Sequence, residues 1–127
     1  MHLELTPDQS GLRDALRAYF EGVMRAEPGA PLDTSVGGRD YRRIISRLGR
    51  DGWLGIGWPR EYGGQGRGPV EQLIFFEEAN RADVPLPLVT LNTVGPTLAE
   101  YGTADQKARF IPGILAGDIH FAIGYTE

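Results

Sequence analysis

The chain has 127 residues, a net charge of −4, no cysteine and two histidines, which fits one modest domain with a core of its own. The lack of cysteine excludes disulfides, thiolate nucleophiles and thiolate metal sites, and His2 and His120 lie too far apart in sequence to indicate zinc. Mild acidity argues against a nucleic-acid partner and no apolar run is long enough to span a membrane, so we expect a soluble, cytoplasmic protein without a metal ion.

The first predicted element is an amphipathic helix. Thr6, Pro7 and Gln9 form the pattern of a capping box with proline at the first helical position. Apolar side chains then recur at helical spacing, at Leu12, Leu16, Tyr19, Phe20 and Val23. The stretch from 26 to 38 is rich in proline and glycine and is a predicted loop.

A second amphipathic helix is predicted after this loop. One stripe carries the apolar side chains of Tyr41, Ile44, Ile45 and Leu48. The other faces carry Arg42, Arg43, Arg47 and Arg50. A solvated face is the commoner meaning of such arginines, and a helix-turn-helix contact with DNA is the alternative. Between 52 and 69 glycines are too dense for a helix, and they predict a tightly folded connection around Trp53 and Trp58.

Three later helices are predicted, separated by glycine and proline signals. The first begins at Pro69 and is apolar nearly all round in its early turns, which predicts burial on most sides. The second, from 87 to 102, contains Gly95-Pro96 and should kink or break there. The third, from 103 to 117, repeats the capping box, and Pro112 should bend it or end it early.

The closing stretch HFAIGYTE, His120–Glu127, has the alternation of a half-buried strand. No other segment alternates convincingly, so this strand has no predicted partner within the chain. We therefore predict an all-α bundle of about five helices over residues 1–117, followed by an orphan β-strand over 118–127. Either a second chain pairs with this strand, or it is the first strand of a β domain that is missing from this chain; the second interpretation is preferred.

Considered residue by residue, the sequence offers few candidate catalytic side chains. There is no GxSxG motif, and the carboxylates fall on predicted helix faces, where solvent is the default partner. Glu77 and Glu78 are expected to be solvated or to pair with Arg81. Thr126 and Glu127 are the most interesting polar residues by position, because ligand contacts are common at strand ends.

Four stretches together resemble the N-terminal part of acyl-CoA dehydrogenases: WPREYGGQG (58–66), FFEEANRAD (75–83), GPTLAEYGTADQKARFIPGILAGD (95–118) and FAIGYTE (121–127). The resemblance covers essentially the whole chain. It implies a helical N-terminal domain that is followed, in the family, by a β domain and a C-terminal helical domain, with FAD between them. It also implies that His120–Glu127 is the first strand of the β domain and that this chain is an N-terminal fragment, inactive by itself.

The resemblance implies roles for single residues. In the family, the threonine of the closing Thr-Glu pair hydrogen-bonds the pyrimidine side of the flavin, where reduction places negative charge, so Thr126 is assigned to cofactor binding. The neighbouring residues assigned to strand backbone and packing are Ile123, Gly124 and Tyr125. Candidates for the acyl-chain pocket are Leu88, Leu91 and Asn92. The family's catalytic carboxylate lies in the C-terminal domain, so no catalytic role is given to Glu77, Glu78, Glu100 or Glu127.

The implied activity is α,β-desaturation of an acyl-CoA substrate, with the β-hydride passing to flavin N5 and electron-transfer flavoprotein accepting the electrons. The implied assembly is an oligomer of identical or different acyl-CoA dehydrogenase subunits. The Thr-Pro-x-Gln opening and the arginine-rich helix are similar to those of actinobacterial members that act on bulky CoA thioesters such as sterol side chains. The competing hypothesis is a short stand-alone helical module for binding or oligomerisation, derived from that family.

Overall fold

The computed structural model describes residues 4–26 and 29–125, and within these ranges the chain is helical and has no strand. Five α-helices are found there: α1 Pro7–Val23, α2 Arg39–Arg50, α3 Pro69–Arg81, α4 Gly95–Tyr101 and α5 Ala104–Ala116. Two 3-10 turns separate α2 from α3, at Trp53–Gly55 and Arg60–Tyr62. A π-helix, Val89–Val94, leads directly into α4. The predicted all-α bundle is confirmed.

Capping boxes set the beginnings of α1 and α5, as predicted. At α1 the Thr6 hydroxyl accepts a hydrogen bond from the Gln9 amide at 3.2 Å, and the Gln9 side chain accepts one from the Thr6 amide at 3.0 Å. Thr103 and Gln106 repeat this exchange at α5, at 3.2 and 2.9 Å. Each box satisfies amide groups that the first helical turn cannot pair itself, so it fixes where the helix begins.

The core is assembled from the apolar stripes of α1, α2, α3 and α5. The helices α1 and α3 form the most extensive pair, and the rings of Phe20 and Phe75 meet between them with centroids 5.7 Å apart. The side chains that are almost fully enclosed include Leu16, Phe20, Ile44, Ile45, Leu48, Phe75 and Ile114. Burial of such side chains supplies most of the free energy that stabilises a domain of this size.

Helix α3 is buried on one face only, so the prediction of burial on most sides is wrong. Ile74, Phe75 and Ala79 are buried, but Val70 and Leu73 are 43% and 56% exposed. The apolar residues of its first turns therefore divide between the core and a surface, and a hydrophobic pattern does not distinguish those two environments.

A charge pair also joins α1 to α3. The Arg17 guanidinium donates to both carboxylate oxygens of Glu78, at 3.0 and 2.7 Å, and Arg81 lies 3.7 Å from the same carboxylate. Glu78 is 5% exposed, and its hydrogen bond with Arg17 lowers the pKa of its carboxyl. The predicted pairing with Arg81 is confirmed, whereas the burial of Glu78 and its bond to Arg17 are not apparent from the sequence.

The glycine-rich connection between α2 and α3 is folded tightly, as predicted. The Gln65 amide donates to the Gly55 carbonyl and the Gly66 amide to the Trp58 carbonyl, both at 2.8 Å. A methyl group on Gly64 would overlap the Trp58 carbonyl, so the backbone approaches itself more closely than any other residue allows. Trp58 is 5% exposed, and the connection therefore contributes to the core.

The break predicted at Gly95-Pro96 is confirmed as a change of helix type. The π-helix ends at Val94 and α4 begins at Gly95. Pro96 offers no amide to the preceding turn. The Thr97 hydroxyl, one residue later, bonds back to the Thr93 carbonyl at 2.7 Å.

Pro112 does not end α5, so that alternative of the prediction is wrong. The helix continues past it to Ala116. Ile111 and Ile114, on either side of the proline, are 2% and 1% exposed. Their packing in the core offsets the one helical hydrogen bond that the proline removes.

Helices α2 and α5 meet backbone to backbone. A methyl group on Gly49 would overlap the Ala116 carbonyl, and one on Gly117 would lie 2.6 Å from the Ile45 carbonyl oxygen. Gly117 also has a φ of 79°, which favours glycine. These two glycines let the helices touch without side chains between them.

Residues 119–125, called here the 119–125 segment, follow this contact and form neither helix nor strand. The strand predicted over His120–Glu127 is therefore not seen in the described part of the chain. A strand requires a paired neighbour, and no described backbone pairs with residues 120–125 in a ladder. Thr126 and Glu127 lie outside the described residues, and the division of the chain at 117 and 118 into a helical domain and a first β-strand stays a prediction.

Candidate functional site

An apolar groove of about 640 Å³ lies between the 119–125 segment and the stretch that leads into the π-helix. Four of its side chains are large, apolar and strongly exposed: Val36 at 89%, Leu88 at 52%, Ile123 at 48% and Tyr125 at 87%. Exposed apolar side chains that gather on one face indicate a contact surface. We refer to this feature as the apolar groove.

Thr90 attaches the 119–125 segment to the bundle. Its hydroxyl accepts a hydrogen bond from the Phe121 amide at 2.8 Å and donates to the Phe121 carbonyl oxygen at 3.4 Å. Thr90 lies in the π-helix and is 1% exposed. The Phe121 ring packs edge-on against Phe110 of α5, with centroids 5.7 Å apart. One residue of the segment is thus held by both its backbone and its ring.

A second attachment joins the segment to α2. The Tyr41 hydroxyl lies 2.8 Å from Nδ1 of His120, and Nε2 of His120 lies 2.9 Å from the Gly117 carbonyl oxygen. Because a carbonyl only accepts, Nε2 carries a proton, and in the tautomer with Nε2 alone protonated Nδ1 accepts from the Tyr41 hydroxyl. Burial raises the pKa of the Tyr41 hydroxyl, which keeps it protonated as a donor.

Beyond Phe121 the 119–125 segment is exposed on the surface of the domain. Residues 122–125 are exposed, and no described residue makes a hydrogen bond to their backbone. A side chain added at Gly124 would meet nothing within 4 Å. The predicted cofactor residues Ile123, Gly124 and Tyr125 lie along this open edge, whereas Thr126 lies outside the described residues. Their amide and carbonyl groups are available to a strand or a ligand.

The structure places the three residues predicted for the acyl pocket in two different grooves. Leu88 lies in the apolar groove together with Ile123 and Tyr125. Leu91 and Asn92 both line a second groove, of about 390 Å³, which is walled on its other side by α3. Asn92 is exposed there, whereas Leu91 is only 2% exposed and also packs in the core. Only Leu88 is brought together with the predicted cofactor residues.

The sequence pattern does not single out the contacts made by Thr90, Tyr41 and His120. Thr90 and Phe121 are 31 residues apart, and Tyr41 and His120 are 79 apart, so neither pair follows from local spacing. Tyr41 fits the apolar stripe of α2 and gives no other signal. The one hint is that Thr90 is a polar residue flanked by Val89 and Leu91.

The buried carboxylates of the described residues are engaged by arginines. Asp40 is 6% exposed; it accepts from the Asp33 amide at 3.0 Å and lies 3.2 and 3.3 Å from Arg39 and Arg43. These contacts, with the Asp33 amide first, lower the pKa of the Asp40 carboxyl. A carboxylate held in its charged form by such partners is a poor proton acceptor, so neither Asp40 nor Glu78 resembles a catalytic base.

The arginine-rich face of α2 is engaged partly in local ion pairs. Arg43 lies 3.3 Å from Asp40 and Arg47 lies 2.8 Å from Asp51. Asp51 also accepts from the Tyr19 hydroxyl at 2.7 Å. Pairs at these spacings are typical of a solvated helix face, the first of the two interpretations of this pattern.

Within the described part of the chain, no three His, Asp or Glu side chains are grouped so that they could hold a metal ion. None of the described helices is both long enough and apolar enough to cross a membrane.

The family model of the acyl-CoA dehydrogenase N-terminal domain matches residues 6–118, and the chain belongs to this family. FadE29 of Mycobacterium tuberculosis is 54% identical to it over 127 residues, and FadE26 of the same organism is 50% identical over 131 residues. Each match covers 100% of this chain and 33% of the relative. The chain therefore spans about a third of the length of these curated relatives.

Solved structures show the same fold. In the ChsE4-ChsE5 complex from Mycobacterium tuberculosis, a chain that is 48% identical superposes with a TM-score of 0.86 over 100% of this chain and 32% of its own length. In the Tcur3481-Tcur3483 steroid ACAD the TM-score is 0.86 at 52% identity, over 100% and 33%. The helical bundle is thus the N-terminal fold of acyl-CoA dehydrogenases.

Proposed function

We propose that this chain forms the N-terminal helical domain of an FAD-dependent acyl-CoA dehydrogenase, which introduces the α,β double bond into a CoA thioester. Membership of the family over residues 6–118 supports the enzyme class. The span of about a third of its relatives supports a role as one domain of a larger protein. In this proposal the catalytic carboxylate and the rest of the flavin site belong to the other domains, so residues 1–127 are inactive alone.

The apolar groove is the observation that carries the proposal. It brings Leu88, a candidate for the acyl pocket, beside Ile123 and Tyr125, candidates for the cofactor site. A dehydrogenation requires the reacting carbons of the substrate to lie next to the group that accepts the hydride. The position of Leu88 beside two cofactor candidates in one groove supports the proposal.

The residues along the groove fit one edge of a flavin. The unpaired backbone of 122–125 offers hydrogen bonds, Gly124 leaves room for close approach, and Ile123 and Tyr125 offer apolar contact. Thr126 is the proposed hydrogen-bond donor to the pyrimidine edge. When bound, FAD would supply the acceptor for the substrate's hydride, and residues 122–125 would orient its ring.

The proposed substrate class is a bulky, steroid-derived CoA thioester, and the proposed partner is a second, related subunit. The support is similarity to a steroid ACAD that consists of two components and to the ChsE4-ChsE5 complex. A homo-oligomer is the alternative assembly. Electron-transfer flavoprotein is the proposed electron acceptor.

A chimera tests the proposal. Residues 1–127 replace the matching third of FadE29, with unaltered FadE29 as the control. We expect the chimera to purify with flavin, as seen by its visible absorbance, while residues 1–127 alone hold no stoichiometric flavin and show no acyl-CoA-dependent dye reduction. Turnover by residues 1–127 alone would contradict the proposal. A folded chimera without flavin would favour the alternative, a helical module for binding or oligomerisation.

A further inference from the structure

We propose that Thr90 is a positioning residue for the flavin-facing edge: its buried hydroxyl sets the backbone direction of residues 122–125 before the cofactor binds. This inference rests on the proposed function, because it concerns the same groove. Thr90 itself does not line that groove; Leu88 and Val89 do. Its effect on the cofactor would therefore pass through Phe121.

The hydrogen bonds of Thr90 are directed at one residue of the 119–125 segment. The hydroxyl accepts from the Phe121 amide and donates to the Phe121 carbonyl, at 2.8 and 3.4 Å. No other described group bonds the Phe121 backbone. Since both polar groups of one peptide residue are held from one side, rotation of the backbone at this point is restricted.

Among the other anchors, the Gly113 carbonyl holds the backbone at the start of the segment by accepting from the Ile119 amide at 3.0 Å, and the rest hold side chains. Tyr41 contacts the His120 ring and Phe110 contacts the Phe121 ring. A side-chain anchor leaves φ and ψ free to change, whereas a bond to the peptide groups does not. Among the described contacts, the hydrogen bonds of Thr90 therefore determine the backbone direction after Phe121. They thereby determine where Ile123 lies in the groove.

The burial of Thr90 argues against a role in packing alone. At 1% exposure, a hydroxyl costs free energy unless it is hydrogen-bonded, and valine would fill nearly the same space without that cost. Thr90 also lies in the π-helix, a wider turn that is frequently found at functional sites. Both facts are explained if the hydroxyl is there to hold Phe121.

The first test uses residues 1–127 and amide hydrogen exchange followed by NMR. In the unaltered chain, the Phe121 amide should exchange more slowly than the amides of Ala122, Ile123 and Gly124. Thr90→Val should accelerate exchange at Phe121 roughly threefold to tenfold, as expected for one lost hydrogen bond of ordinary strength. Thr90→Ser keeps the hydroxyl and should restore slow exchange.

The matched control is Thr93→Val, which alters an exposed threonine of the same π-helix. It should leave exchange at Phe121 unchanged. If Thr90→Val does not fold, the unaltered chain still decides: a Phe121 amide that exchanges as fast as its three neighbours overturns the inference. Equal exchange at Phe121 in the Val and Ser variants also overturns it.

The second test measures flavin in the FadE29 chimera. Thr90→Val should retain flavin roughly tenfold less well and shift its visible absorption, while Thr90→Ser and Thr93→Val should match the unaltered chimera. Normal flavin retention by Thr90→Val refutes the positioning role and leaves the proposed function intact. An unaltered chimera that folds without flavin refutes the proposed function, and with it any role of Thr90 toward the flavin.

Discussion

Arg17 of α1 and Glu78 of α3 form a two-hydrogen-bond ion pair in which the guanidinium is 39% exposed and the carboxylate only 6%. The pair lies between the two helices that share the most extensive contact in the bundle. An ion pair with one buried member is asymmetric: the buried carboxylate depends on the arginine, whereas the arginine can be solvated.

Removal of Arg17 should destabilise the bundle by more than its own contacts are worth. Arg17→Ala leaves Glu78 charged, buried and short of its main donor, so we expect a loss of about 1 to 3 kcal/mol of unfolding free energy. Urea denaturation at neutral pH measures it. Arg25→Ala removes an exposed arginine beyond the end of α1 and serves as the control, with an expected change within about 0.5 kcal/mol. Equal effects of the two substitutions would contradict the prediction.

The stability that Glu78 contributes should depend on pH in a defined direction. The Arg17 hydrogen bond lowers its pKa in the folded chain from the ordinary 4.5. A lowered pKa stabilises the fold above the ordinary value, and this contribution is lost as the pH falls through the folded value. Unaltered chain and Glu78→Gln should therefore differ most near neutral pH and converge in acid. Urea midpoints for both proteins across that range test this, and a constant difference would show that Glu78 is not the titrating group.

Two glycines should respond to alanine in opposite directions. A methyl group on Gly64 overlaps the Trp58 carbonyl, while one on Gly22 in α1 meets nothing within 4 Å. Gly64→Ala should cost at least about 2 kcal/mol, because backbone has to move. Gly22→Ala should stabilise by about 0.5 to 1 kcal/mol, because helical glycine loses more chain entropy. Thermal denaturation of both variants decides, and an unchanged or raised Tm of Gly64→Ala would refute the close approach at Gly64.

Alanine substitutions at Leu88 and Leu91 should have very different effects on the unfolding free energy, because Leu88 is exposed and Leu91 is buried. Leu88→Ala, at a position that is 52% exposed, should change the unfolding free energy by less than about 1 kcal/mol, and Leu91→Ala, at 2% exposure, should cost about 2 to 5 kcal/mol. Leu88→Ala should also reduce binding of a fluorescent apolar dye to the groove. If instead Leu88→Ala destabilises as strongly as Leu91→Ala, the groove is closed in solution.

Local signals predicted much of the helical framework. The Thr6 and Thr103 capping boxes are interactions over three residues, and both appear as expected. The dense glycines between α2 and α3 likewise predict a tightly folded backbone. Gly64 shows why glycine is needed there, because a methyl group at this position would overlap the Trp58 carbonyl. Such features depend on chemistry within one or two turns of chain, so composition and spacing are sufficient to predict them.

What could not be predicted depends on tertiary packing. The apolar pattern of α3 does not reveal that Leu73 is on the surface while Phe75 is buried. Nor does the helical spacing of Leu88 and Leu91 reveal that Leu88 is half exposed in the apolar groove while Leu91 is buried, because the π-helix changes the angle between successive residues. The contact of Thr90 with Phe121 requires both of these elements to be in place.

The backbone contact at Gly49 and Gly117 has a consequence for any redesign of this domain. Where side chains separate two helices, a change in one is absorbed by altered rotamers, but peptide groups in direct contact have nothing to yield. A displacement of α2 should therefore shift Gly117 and, with it, the start of the 119–125 segment. Substitutions at this crossing should be poorly tolerated even though neither glycine lines the apolar groove.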